Sequence, residues 1–199
     1  MGRPRLRHKT WVLLGVCAAG AAFALLDRPR GVVLPTEWEV CSSAGLQAMR
    51  AGRLDEADQY FLRALDQASQ FPDDDPRLGT SLDNLASLRK TQLRFADAEQ
   101  LYRKALAVFE RAGPRSERHL AVVCNDLGTV RAAQGDFNEA DALIGRAIAI
   151  NERVRGPDDP EVATNLRNYA AVKLALGKPG DAATAATRAA AIDERQPRH

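Results

Sequence analysis

The chain has 199 residues, 45% hydrophobic and 27% charged, with only 6% aromatics and abundant alanine. That balance suits one soluble domain with a buried core and leans all-α. The formal net charge of +2 is local: residues 1–30 hold six Lys and Arg against Asp27 alone, leaving the body at −3, which excludes a phosphate-gripping surface and therefore nucleic acid as the expected partner.

The leader comes first in the chain. Arg3, Arg5, Arg7, His8 and Lys9 precede an unbroken apolar run from Trp11 to Leu26. A basic patch followed by an apolar stretch is the pattern of an export signal, and Ala22-Phe23-Ala24 offers a small-x-small cleavage point. Sixteen residues span ~24 Å as a helix, short of a ~30 Å hydrocarbon core. Residues 1–30 are therefore read as a signal peptide or a retained signal anchor, with membrane contact confined to this segment. Two other readings remain: a lipid anchor on Cys17, for which Val16 is too large, and a buried N-terminal helix, against which the basic cluster argues. The excess of basic residues before the run, compared with Arg28 and Arg30 after it, directs the body across the membrane. The expected location is extracytoplasmic, in the periplasm or cell envelope.

From residue 36 the pattern is helical throughout. Thr36 and Glu39 form a capping box. Asp75-Pro76 and Asp159-Pro160 each place an acidic cap before a first-turn proline, and Ser116 is expected to cap the helix that follows it. Apolar spacings of three and four, as in Leu82, Leu85 and Leu88, give one stripe per helix. The predicted helices are 36–51, 54–70, 76–92, 95–112, 117–134, 137–155, 160–176 and 179–195. Gly52, Gly135 and Gly177 suit a left-handed residue closing the first helix of each pair. Leu93 stands at that place in the second pair, so its turn is expected to differ.

These helices repeat in pairs. Ala57, Ala98, Ala140 and Ala182 lie 41, 42 and 42 residues apart, and Ala64, Ala105, Ala147 and Ala189 follow seven residues later. Gly45, Ala86, Gly128 and Ala170 form a third small column twelve residues upstream. Two helices cross closely only where side chains are small, so these columns mark the seam inside each hairpin. Cys41 and Cys124 recur at one position two units apart, too far to bridge, and read as small buried hydrophobes.

The pattern resembles the tetratricopeptide repeat. The 42-residue period, Pro72-Asp73-Asp74-Asp75-Pro76, Gly156-Pro157-Asp158-Asp159-Pro160 and Leu82-Asp83-Asn84-Leu85-Ala86 are similar to its kinesin-light-chain-like variety. The match spans about residues 36–195. It weakens at the edges, with Ala44 in the first unit where later units carry Leu85, Leu127 and Tyr169, and Ala185-Ala186 in the last. The resemblance implies an all-α, right-handed superhelical array of about four antiparallel hairpins in residues 31–199, with units near 36–74, 75–115, 116–158 and 159–195.

Catalytic patterns are absent. There is no phosphate-binding glycine loop, no His-Glu-x-x-His and no serine elbow. The run Asp73-Asp74-Asp75 lacks the alternating spacing of a calcium loop. No enzyme activity, metal or cofactor is expected, and function falls to a surface that binds a protein or peptide. In repeat arrays the first helices of successive hairpins line a concave face. The candidate groove residues are Asn84, Asn125 and Asn168, with Asp83, Asp126, Arg167, Thr80, Thr164, Ser87, Thr129 and Lys90 around them. Asparagine amides both donate and accept, so a row of them can pair with peptide backbone of any sequence. Family members that clamp a C-terminal carboxylate need bases in columns that here hold Glu39 and Asp126, so that clamp is not expected. The competing expectation is a structural subunit of a membrane-associated complex, bound through the convex face or an array end.

Overall fold

A computed structural model describes residues 36–196. The leader, and with it the signal or anchor reading, lies outside the described residues. Among those described, no helix is long and apolar enough to cross a membrane.

The described residues form eight α-helices in order: α1 (Glu37–Arg50), α2 (Leu54–Ala68), α3 (Pro76–Thr91), α4 (Phe95–Ala112), α5 (Glu117–Ala133), α6 (Phe137–Arg155), α7 (Pro160–Ala175) and α8 (Pro179–Arg195). Their bounds match the sequence expectation to within two residues. Each odd-numbered helix packs most extensively on the even-numbered helix after it, giving four hairpins, and each hairpin stacks on the next. Successive first helices α1, α3, α5 and α7 approach one another more closely than successive second helices do. The first helices therefore line the inner face of the array.

Helix ends follow the local chemistry. The Thr36 hydroxyl accepts from the Glu39 N–H, and the Glu39 carboxylate accepts from the Thr36 N–H at 2.6 Å. Asp75 and Asp159 accept from N–H groups two residues on, each at 2.9 Å. Asp136, which the sequence reading passed over, caps α6 through the Glu139 N–H. Ser116 does not cap α5: a 3-10 turn over Gly113–Ser116 leads into the helix, and the Ser116 hydroxyl is buried without a partner among the described residues. The turn places Ser116 at φ −108°, ψ 5°, outside the extended backbone from which a side chain reaches the first amides.

The turn at Leu93 also corrects the expectation. It does not differ from the others. Leu93 sits at φ +60°, beside Gly52 at +73°, Gly135 at +88° and Gly177 at +69°. The same two bonds close all four turns; here Leu93 N–H donates to Lys90 O and Arg94 N–H to Arg89 O, both at 2.9 Å. Helix-to-helix closure overrides the preference of a leucine, which is left exposed and strained. Leu93→Gly is expected to raise stability by about 1 kcal/mol, read as a higher urea midpoint with unchanged slope; a lower midpoint would show that the leucine side chain contributes packing.

The small columns sit where predicted. Ala57, Ala64, Ala98, Ala105, Ala140 and Ala147 are completely buried. A Cβ on Gly45 would lie 2.4 Å from the Phe61 ring, and one on Gly128 would lie 2.6 Å from Ile144 Cγ1. Gly79 is a further contact of this kind, pressed on the Phe109 ring at 2.6 Å; its column continues as the buried Ala121 and Ala163. Cys41 and Cys124 are buried free thiols. Outside the apolar seam, ion pairs tie units together, including Arg103–Glu139, Arg146–Glu110 and Arg188–Glu152 at 2.6–2.7 Å.

Candidate functional site

The inner face is built on α3, α5 and α7, where the 42-residue period brings the candidate residues into register. Asn168 on α7 donates from Nδ2 to Oδ1 of Asn125 on α5 at 2.9 Å. The pair is half-buried. Each amide keeps groups in hand: Asn125 its two N–H donors, Asn168 its carbonyl oxygen and one N–H. Asn84 on α3 is half-buried and makes no hydrogen bond among the described residues. The three asparagines thus present unspent donors and acceptors along successive first helices.

A second cluster lies between α3, α4 and α5. Lys90 Nζ donates to Asp126 Oδ1 at 2.9 Å. Ser87 and the hydroxyl of the fully buried Tyr102 bond each other at 3.0 Å. Lys90 Nζ also stands 5.8 Å from the Tyr102 ring centroid. Asp83 faces this group, but its Oδ1 is buried with no partner among the described residues. Burial, with the Asp126 charge adding and Lys90 opposing, pushes the Asp83 carboxyl up to about 7. The Tyr102 hydroxyl is raised by the same burial and stays protonated.

Not every predicted residue joins the face. Arg167 turns towards the end of the array, where it pairs with Asp193 on α8 at 2.7 Å and donates to Thr164. Thr80 and Thr164 donate to the carbonyls of Pro76 and Pro160 on their own helices. Thr129 donates to Asp126 O at 2.7 Å, so its oxygen still accepts.

Sequence reasoning missed a recess of about 250 Å³ between α5, α6 and α7. Phe137, Ile144 and Val172 line it with Thr129, Ala132, Asn168 and Ala171. It is smaller than the roughly 300–1,000 Å³ of small-molecule sites and has room for one side chain. Its signal was present in Gly128, which lets α6 approach closely enough for Ile144 to reach this side, but a small column alone does not tell which gaps stay open. Ala171 and Leu174 on α7 are exposed, Leu174 at 61%.

The tetratricopeptide repeat family model matches residues 42–111 and 120–195. No curated protein sequence matches the chain. Among solved structures, BtubC (BKLC) from P. vanneervenii is similar at 25% identity with a TM-score of 0.71, over 92% of this chain and 77% of that one. The nearly identical TPR-like repeats of a Podosopora anserina kinesin light chain are 18% identical, with a TM-score of 0.67 over 88% and 82% of the two chains. The apo form of RapI shares the fold at 12% identity, with a TM-score of 0.74 over 90% of this chain and 62% of that one.

Proposed function

The chain belongs to the tetratricopeptide repeat family, in its kinesin-light-chain-like variety, whose fold serves protein–protein interaction, and on that premise we propose that it holds an extended segment of another polypeptide along the inner face and catalyses no reaction. The observation that supports this most is the row of part-spent amides, Asn84, Asn125 and Asn168, running beside an apolar recess. Short amides in mid-helix cost helix stability, and two of these three keep only one mutual bond in return. A backbone laid across the first helices would use what is left.

The test is binding by the full chain to a peptide selected on it from a random library. Alanine at Asn84, Asn125 and Asn168 should each weaken binding by ~0.5–1.5 kcal/mol, the net value of an ordinary hydrogen bond, with helicity by circular dichroism unchanged. Undiminished affinity in the triple variant would move binding to the convex face or an array end, the surfaces a structural subunit would use.

We also propose that the body acts outside the cytoplasm, on the strength of the basic residues before the apolar run Trp11–Leu26. A reporter active only in an oxidising compartment, fused after His199, should be active, and acidic substitution of Arg3, Arg5, Arg7 and Lys9 should reduce its export. Soluble full-length protein in the cytoplasm would refute the location and leave the groove reading untouched.

A further inference from the structure

Asp83 leaves an unmatched carboxyl on the inner face. Lys90, Arg167, Lys173 and Arg131 on the first helices already have carboxylate partners in Asp126, Asp193, Asp141 and Glu99. Asp83 has no ion-pair partner among the described residues, and one of its oxygens is buried without a hydrogen bond. A buried carboxyl left unsatisfied is costly, and a cation arriving there would favour its ionised form over the half-protonated one that burial imposes near neutrality. The recess on the far side of α5 is apolar and sized for one aliphatic side chain. Thr129 and Asn168 stand at its rim with an accepting oxygen and a free N–H, the groups that backbone flanking such a side chain needs.

We propose, resting on the groove reading above, that the inner face selects an extended polypeptide segment in which an aliphatic side chain enters the recess between α5 and α7 and a lysine or arginine reaches Asp83 and Asp126 between α3 and α5. The spacing follows from the array. The two subsites lie on either side of α5, and packed helices sit about 8–10 Å apart. An extended chain advances ~3.3 Å per residue, so the aliphatic and basic residues are about three positions apart. Specificity then comes from one pocket and one charge, while the asparagines hold the backbone regardless of sequence.

The experiment selects a random-peptide phage library on the full chain and compares three versions of it: wild type, Asp83→Asn and Ala171→Arg. Asp83→Asn keeps the shape and removes the charge. Ala171 is exposed, so arginine there tolerates folding and blocks the mouth of the recess. The expected result is enrichment of sequences with an aliphatic and a basic residue about three apart. A synthetic peptide of that class should lose roughly tenfold in affinity with Asp83→Asn and all measurable binding with Ala171→Arg. Selected peptides that lack the basic residue, or that ignore Asp83→Asn yet fail on Ala171→Arg, would overturn the inference and leave the groove reading standing. Peptides indifferent to both variants would overturn both. Failure to enrich any sequence over an unrelated immobilised protein would overturn the inference as well.

Discussion

Gly128→Ala should destabilise the protein by about 2 kcal/mol, although alanine is the better helix former by ~1 kcal/mol. The added Cβ would lie 2.6 Å from Cγ1 of the fully buried Ile144, close to its backbone rather than at a flexible tip, and 3.4 Å from the Ala140 carbonyl oxygen. Gly145 supplies the control. It lies in the middle of α6, where a Cβ would meet only a Tyr169 ring carbon at 3.8 Å. Gly145→Ala gains the same propensity without the clash and should stabilise by ~0.5–1 kcal/mol. Ala98→Leu and Ala140→Leu, at fully buried seam positions, should each cost about 1–3 kcal/mol by overpacking. Urea unfolding reads all four. A neutral or stabilising Gly128→Ala would mean that α5 and α6 are not held at the separation described.

Asp83→Asn should stabilise the protein at alkaline pH by about 1–3 kcal/mol, and the gain should vanish in acid. The folded carboxyl is raised from 3.8 to about 7. Below pH ~4 it is protonated in both states and costs nothing. Between ~4 and ~7 the unfolded chain releases a proton that the folded chain keeps, so wild-type stability falls as pH rises through this window. Above ~7 the full penalty persists. Asparagine at this position carries no such term, and the next unit already uses Asn125 there. Urea midpoints of the two proteins should therefore diverge from pH 4 to pH 8. Parallel curves would show that Asp83 finds a partner the described residues do not provide, and would remove the unmatched charge on which basic-residue selection rests.

Much of the fold is legible in the sequence because the 42-residue period states it four times. Each buried alanine of the seam, and each capping acid at 75 and 159, is fixed by a local rule that the next unit repeats. The misreadings arise where a neighbour decides. Leu93 carries no sign of positive φ, since the two bonds that close its turn run between backbone groups, from Leu93 and Arg94 N–H to the last carbonyls of α3, and involve no side chain. Ser116 has the right hydroxyl, but Gly113-Pro114 leads the chain into α5 through a tighter turn. The groove is legible as columns and not as contacts. Asn125 and Asn168 are in different columns, and it is the stagger between units that pairs them. The same stagger joins Lys90 to Asp126 and carries Arg167 away to α8. The recess was invisible for the related reason that side-chain volume predicts which gaps are filled, while an unfilled gap depends on the separation of three helices at once.

The central claim is that the inner face of the first helices is where a partner lies. The most direct measurement is nuclear magnetic resonance titration of the isotope-labelled full chain with the library-selected peptide. The side-chain amide signals of Asn84, Asn125 and Asn168, and the backbone amides around Thr129 and Ala171, should shift together as the peptide saturates the protein. Shifts confined to the second helices α4, α6 and α8, with the three asparagine amides unmoved, would contradict it.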